Sequence, residues 1–218
     1  MTDILLPQRF LFRFAAPCRF REKLWTKKGA ALDASHRLPA LAELEGRPQF
    51  AEVRVGWNRT GLAFVLIVEP KRAKPWCRAE QPDDSDGLHL WIDTRDVHDI
   101  HRATRFCHQL YLMPAGGGEK LGQPMAGSAP IHRAQANSRA ISPEELELVV
   151  AIHPKGYRLD AFIPAGALTG FNPEEHPRLG FQYAVKDREL GTQTFAAGAP
   201  LPYDEDPSLW ATLELTRD

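Results

Sequence analysis

The sequence predicts an all-β fold, a two-sheet antiparallel β-sandwich of jelly-roll or immunoglobulin-like type with long loops. Three observations predict it. Short runs that alternate apolar and polar residues recur along the chain, turn-forming residues separate them, and almost no stretch has the apolar spacing of a helix. Strands with one buried face are stabilised by packing two such sheets together.

The strongest signal is an antiparallel strand pair between residues 83 and 114. Two alternating runs, 88–93 and 104–112, flank a polar loop. Side chains alternate between the two faces of a strand, so one face of the first run is apolar and the other carries two large rings. The apolar face holds Leu88, Leu90 and Ile92, and the opposite face holds His89, Trp91 and Asp93.

Further alternating runs predict the remaining strands, and two pairs of them read as hairpins around short turns at 58–61 and 154–156. In chain order these strands are predicted at residues 9–14 (with Phe10, Phe12 and Phe14 on one face), 52–57, 62–69, 146–153, 157–163, 179–185 and 210–215.

Two long connections lack regular patterning. Residues 17–48 are interpreted as a covering loop. Residues 40–44 could form one helical turn, and the prolines at 39 and 48 prevent a longer helix. Residues 114–143 are rich in Gly, Pro, Ala and Ser, and we expect them either to cross one rim of the sandwich with a short strand near 131–134 or to be partly mobile. We therefore expect one domain over residues 1–218, with an N-terminal strand and covering loop at 1–48 and the core at 50–215.

Composition excludes some classes of partner. The 27 basic and 28 acidic residues give a net charge of -1, without the basic excess of nucleic-acid or membrane-surface binding. No apolar run approaches the ~20 residues that span a bilayer. The N-terminus lacks the order of a secretory signal, and three unclustered cysteines do not suggest a disulfide framework. We expect a cytoplasmic protein with no nucleic-acid or membrane partner.

Five segments between residues 50 and 215 combine strand hydrophobics with a characteristic turn residue: DDSDGLHLWIDTR, GYRLDAFIPAGAL, RLGFQYAVKDREL, PSLWATLEL and the hairpin VRVGWNRTGLAFVLIVEPK. In their motifs and in their order along the chain they resemble family 9 carbohydrate-binding modules and the related DOMON-like sandwiches. The resemblance implies a jelly-roll-like sandwich and, for some members, sugar binding between aromatic rings, often with calcium. Other relatives bind haem. Asp160 stands where the family usually has Glu, Ala211 stands where it often has Gly, and the His-rich loop at 98–108 departs from the pattern.

Flat aromatic faces and nearby polar groups suit a carbohydrate or a related polar small ligand, because pyranose C–H surfaces stack on rings. The face of the 83–114 strand pair that carries His89 and Trp91 is opposite its apolar face. If this face is open to solvent, it combines an aromatic ring with a guanidinium, an amide and an imidazole. The alternative is that Trp91 packs under a covering loop and Trp76 plugs an edge. The predicted ligand-binding residues are Trp76, His89, Trp91, Arg105 and Gln109.

Metal and haem sites are a second hypothesis. His98, His101 and His108 supply ligands that zinc accepts, although their spacing lacks the helical geometry of a known motif. The acidic segments 83–86 and 93–96 offer oxygen ligands for calcium, without EF-hand spacing. For haem, Met113 or His108 would be the axial ligand.

No motif indicates catalysis. The sequence has no GxSxG, no Gly-rich phosphate loop and no Ser/His/Asp spacing. The prediction is therefore a non-catalytic binding domain for a carbohydrate or related small ligand. Its alternatives are a metal- or haem-binding protein that uses residues 98–108 and a protein–protein interaction module.

Overall fold

The computed structural model describes residues 12–39, 41, 49–199 and 201–217. Within these ranges the fold is all-β, as the sequence predicts. Its helical segments whose first and last residues are both described are 3-10 helices of three residues each. In chain order the strands are β1 (Ala15–Phe20), β2 (Trp25–Thr26), β3 (Gly29–Ala30), β4 (Ala51–Asn58), β5 (Gly61–Val68), β6 (Gly87–Asp93), β7 (Cys107–Gly117), β8 (Gln123–Ala129), β9 (Glu147–His153), β10 (Gly156–Pro164), β11 (Arg178–Asp187), β12 (Gly191–Thr194) and β13 (Ala211–Thr216).

Eleven strands form one sheet that folds over on itself. Their order is β8-β7-β6-β11-β13-β1-β4-β5-β10-β9, with β12 paired to β11, while β2 and β3 form a separate two-stranded sheet. Phe64 on β5 stacks on Phe181 on β11, with ring centroids 6.1 Å apart, although three strands separate them in the sheet. The two halves of the sheet therefore face each other as the two layers of a β-sandwich.

Strand β1 joins the two halves and differs from the predicted antiparallel pattern. It pairs in parallel with both β13 and β4, whereas the other strand pairs are antiparallel in the part of the chain that is described. A parallel neighbour needs a long crossover rather than a tight turn. The segments that lead into β4 and β13 supply this length.

Both predicted hairpins form. The β4–β5 turn depends on Gly61, whose φ is +150° and whose added Cβ would lie 2.1 Å from the carbonyl oxygen of Ile163. The β9–β10 turn depends in the same way on Gly156, whose Cβ would lie 1.8 Å from the carbonyl oxygen of Val68. Only glycine combines a positive φ with such close backbone approach.

Several predicted elements lie elsewhere in the structure. The first strand is β1 rather than residues 9–14, of which 9–11 fall outside the described residues. The strand expected near 131–134 is absent at those positions, and β8 lies just before them. β2, β3 and β12 have no counterpart in the prediction, and of the helical turn at 40–44 only residue 41 is described.

The core lies between the two layers. Leu88, Leu90 and Ile92 are each 0% exposed in the main apolar cluster, so the predicted inward face of β6 is confirmed. A second apolar cluster covers the outside of β5 and β10, where Leu24 and Leu32 pack near the small β2–β3 sheet. Residues 17–48 thus contribute a cover for this layer, as far as they are described.

No described helix has both the length and the apolar character needed to cross a membrane.

Candidate functional site

The outer face of β6 is closed rather than open. His89 and Trp91 do lie opposite the apolar face, as predicted, but each is only 1% exposed. Trp91 packs with Ile131 and Trp210, and the ring of Tyr203 meets it edge-on at 5.5 Å. The hypothesis of an open binding face is therefore wrong, and the alternative, that Trp91 packs under a covering loop, is confirmed.

Under this cover His89 is a neutral, buried imidazole. Its ring stacks near that of Trp91 with a centroid separation of 6.5 Å, and its Nε2 lies 3.4 Å from the carbonyl oxygen of Ser85. Burial, together with the positive charge of Lys186, lowers the pKa of His89 to about 3. The ring is thus a structural element of the covered face.

The other predicted ligand-binding residues do not gather around His89 and Trp91 in one groove. Gln109 pairs with Trp91 across the β6–β7 ladder and is 9% exposed, with its amide 3.5 Å from the Asp83 carboxylate. Trp76 is half-buried in its loop, and the guanidinium of Arg188 lies 3.8 Å from its ring centroid. Arg105 is exposed and lies at a different place, before β7.

The three histidines proposed as zinc ligands do not converge. His98 contacts Asp96 at 2.9 Å, and the exposed His101 contacts Asp206 at 3.0 Å. His108 is 1% exposed, and burial lowers its pKa to about 4. Among the described residues no group of three His, Cys, Asp or Glu side chains is placed to hold a metal, so the zinc prediction is not supported.

The acidic segments proposed for calcium are already neutralised or capped by protein groups. Asp86 is 1% exposed and lies 3.1 Å from the ammonium of Lys71. Asp93 accepts hydrogen bonds from the backbone N–H groups of Arg95 and Val97 at 3.0 and 2.8 Å. The two candidate haem ligands are both enclosed by protein: Met113 is 0% exposed and packs with Cys77 and Ala115, and His108 is 1% exposed.

One cluster resembles a catalytic triad in composition but not in geometry. The Nδ1 of His101 contacts both the hydroxyl of Ser208 at 3.2 Å and the carboxylate of Asp206 at 3.0 Å. A triad needs the serine on one ring nitrogen and the carboxylate on the other, so that the base can take a proton while it is held. In addition, the Ser208 hydroxyl donates to Asp206 at 2.7 Å. The arrangement stabilises a loop and does not activate a nucleophile.

An open cavity of about 610 Å³ lies at one edge of the sandwich, and we call it the edge cleft. The β6–β7 loop forms one side, and residues from the loops before β9 and β11 form the other. Its lining combines apolar and polar groups, among them Arg95, Ile100, Arg105, Phe106, Gln135 and His176. Of the five predicted ligand-binding residues, only Arg105 lies here.

The ring of Phe106 and the guanidinium of Arg95 form a fixed pair in the edge cleft. The guanidinium carbon lies 4.2 Å from the ring centroid, and Nη1 of Arg95 donates to the carbonyl oxygens of Thr94 at 3.1 Å and Gly170 at 2.7 Å. Gly170 has φ +81°, and an added Cβ would lie 2.9 Å from Phe106. Gly170 therefore packs directly against both side chains, and this contact fixes the pair in the absence of a ligand.

Two smaller cavities continue the edge cleft along the same edge of the sandwich. A cavity of about 360 Å³ shares Arg95 and His176 with it and also contains Arg178. A third, of about 310 Å³, shares His98 with the second and reaches Trp210. The three cavities are therefore neighbours that share lining residues.

Sequence reasoning missed Phe106 as a site residue. The alternating run predicted at 104–112 places Phe106 and His108 on the face opposite Arg105 and Gln109, which the hypothesis of an open binding face requires to be the core face. The strand begins only at Cys107, so the alternation does not apply to the residue before it. The signal that could have found it is the arginine beside an aromatic residue at the end of a polar loop, since loops are where binding residues concentrate.

Comparison with solved structures shows what the fold is similar to. A family 9 carbohydrate-binding module from Caldicellulosiruptor kristjanssonii, in complex with cellotriose, superimposes with a TM-score of 0.59 at 12% identity over 94% of this chain and 94% of that chain. A family 9 module from the same organism, in complex with glucose, superimposes with a TM-score of 0.61 at 12% identity over 94% of this chain and 96% of that chain. No protein-family model matches the sequence, and no curated protein matches it. The fold is therefore similar to that of family 9 carbohydrate-binding modules.

Proposed function

We propose that this chain is a non-catalytic carbohydrate-binding domain whose site is the edge cleft. The observation that carries the proposal is the pairing of the Phe106 ring with two guanidinium groups in one open cavity. Arg95 and Arg105 lie 4.2 and 4.9 Å from the ring centroid. An apolar surface next to hydrogen-bond donors is the combination that sugar rings require.

The size and chemistry of the cleft suit a saccharide. Binding sites for small molecules are commonly about 300–1,000 Å³, and the edge cleft is about 610 Å³. The part of the Phe106 ring that the two guanidinium groups leave uncovered would meet the C–H face of a pyranose. Gln135 supplies an amide that both donates and accepts, and the guanidinium groups donate to hydroxyl oxygens.

The fold supports the same proposal by analogy. Two structures with this fold hold glucose and cellotriose, which are neutral sugars. Fold alone does not imply function, so the argument for this chain depends on the cleft. The absence of catalytic geometry at His101 and Ser208 agrees with a role in binding.

Titration of the purified chain with soluble oligosaccharides that bind in a glycan screen tests the proposal. Phe106→Ala should weaken binding at least tenfold, because the stacking platform is lost. Phe106→Leu keeps apolar volume without the flat ring and should lie between the wild type and Phe106→Ala. Circular dichroism and the unfolding midpoint check that each variant is folded.

The matched comparison is Trp76→Ala, which removes a half-buried ring outside the cleft. It should leave the dissociation constant unchanged within about twofold. The proposal for the edge cleft is overturned if Trp76→Ala abolishes binding while Phe106→Ala does not. A broad glycan screen without any hit would remove the carbohydrate function itself.

A further inference from the structure

We infer that the edge cleft prefers an acidic saccharide, one whose sugar ring carries a carboxylate, over a neutral saccharide of the same size. This inference rests on the proposed function and names the class of ligand for that same site. Two features of the cleft support it, namely the charges of its lining residues and the hydrogen bonds that fix Arg95.

The edge cleft is cationic in a molecule that is almost neutral. Its nine described lining residues include Arg95, Arg105 and His176 and no Asp or Glu. The whole chain, by contrast, has 28 acidic residues against 27 basic ones. A lining of one sign raises the local concentration of ligands of the opposite sign, and more so over a partly apolar floor.

The adjoining 360 Å³ cavity contains two carboxylates, Asp96 and Glu175, and Asp96 is paired with cationic groups. Asp96 lies 3.0 Å from the guanidinium of Arg178 and 2.9 Å from the imidazole of His98. Glu175 also lines that second cavity but not the edge cleft. The positive charge of Arg95 and Arg105 is therefore not paired off by an acid within the cleft.

Arg95 is positioned as a fixed donor. The bonds to the Thr94 and Gly170 carbonyl oxygens both use Nη1, so they leave the Nε and Nη2 hydrogens uncommitted. A guanidinium held in this way can form charge-assisted bonds to a carboxylate with little loss of conformational freedom. Arg105 is exposed and adds a second, adjustable positive charge on the same ring.

A hexuronate matches this arrangement better than a neutral hexose does. Its C–H face can pack against Phe106 while the carboxylate on the same ring reaches a guanidinium. A carboxylate adds the attraction between opposite full charges and can accept two parallel bonds from one guanidinium. A neutral sugar would keep the stacking and the bonds from guanidinium to hydroxyl but lose that attraction, so it should still bind, but more weakly.

The test uses the full chain and two trisaccharides that differ only in charge, trigalacturonate and its carboxyl-reduced neutral counterpart. Isothermal titration should give at least tenfold tighter binding of trigalacturonate at low salt. The preference should shrink as sodium chloride is raised, because screening weakens interactions between exposed charges. Equal or tighter binding of the neutral trisaccharide overturns the inference and leaves carbohydrate binding intact.

Arginine variants connect the preference to the cleft. Arg105→Gln should reduce the preference for trigalacturonate severalfold and change the affinity for the neutral trisaccharide much less. Arg37→Gln makes the same change in net charge at a half-exposed arginine outside the cleft, paired with Glu52, and should retain the preference. If Arg37→Gln removes the preference as strongly as Arg105→Gln, the preference reflects overall charge, and the inference fails.

Discussion

The ammonium nitrogen of Lys71 lies 2.9 Å from the carboxylate of Asp187, and both side chains are closed off from water at 1% and 0% exposure. The carboxylate of Asp86 lies 3.1 Å from the same ammonium nitrogen. Burial alone would lower the pKa of Lys71, but its hydrogen bonds to Asp187 and Asp86 outweigh burial and raise it. The cluster joins the loop after β5 to the start of β6 and the end of β11, so it fixes both layers.

Loss of the Lys71 ammonium should be strongly destabilising. Lys71→Met leaves Asp86 and Asp187 buried without their cation, and breaking a buried pair in this way costs about 3–5 kcal/mol. Urea denaturation at neutral pH measures the change in unfolding free energy. Arg59→Ala, which removes an exposed pair with Glu174, is the control and should cost less than about 1 kcal/mol. Similar small losses for both variants would show that the cluster contributes little.

Two buried histidines should make the protein sensitive to mild acid. The pKa values of His89 and His108 are lowered to about 3 and about 4, mainly by burial, below the value of about 6.5 for an unfolded histidine. Between these values the unfolded chain binds protons that the native protein does not. Stability is therefore full above about pH 6.5 and falls as pH falls, by up to about 1.4 kcal/mol per pH unit for each histidine.

Urea denaturation between about pH 7 and about pH 4.5 checks this slope. His89→Gln should reduce the slope of the unfolding free energy against pH by an amount equivalent to about one proton. This holds whether or not the substitution also changes the stability at neutral pH. His132→Gln, which replaces an imidazole whose side chain is 75% exposed, is the comparison variant. An unchanged slope in His89→Gln would mean that His89 is protonated in the native protein.

Trp91→Ala should unfold the protein rather than remove a binding platform. The side chain is 1% exposed, and replacing a buried tryptophan by alanine costs about 3–5 kcal/mol. The expected result is a large drop in the thermal midpoint, whereas Phe106→Ala should cost much less. A Trp91→Ala protein with wild-type stability and no ligand affinity would move the site back to β6.

The three cysteines should resist alkylation in the folded protein. All are free and buried, and burial raises the pKa of Cys77 to about 11 and that of Cys107 to about 12, with that of Cys18 also raised. Since the thiolate is the reactive form, iodoacetamide at mildly alkaline pH should modify almost none of the native protein. In urea all three should react. Rapid modification of one native cysteine would indicate local opening at that strand.

Local patterns made much of the fold predictable. The β4–β5 and β9–β10 hairpins follow from alternation of side chains and from turn glycines such as Gly61, all of which act over a few residues. β8 was placed wrongly because its sequence, QPMAGSA, is poor in β-branched and aromatic residues. That strand exists because β7 offers an edge to pair with, for example at Met113 opposite Met125.

The candidate site was less predictable than the fold. Arg105 was identified, but its partner Phe106 was assigned to the core, because the start of β7 cannot be read to the residue. Arg95 and Gly170 are 75 residues apart in sequence and meet only in the folded chain. No pattern in the sequence connects them.

The sequence by itself determined which side chains of β6 share a face, because alternation is a property of the extended backbone. Only the tertiary structure decided that the face with His89 and Trp91 is closed. Its cover comes from Ile131 and Tyr203, far along the chain, and such packing depends on the free energy of the whole fold. The same long-range packing left the edge beside Phe106 open, and that is where we place the function.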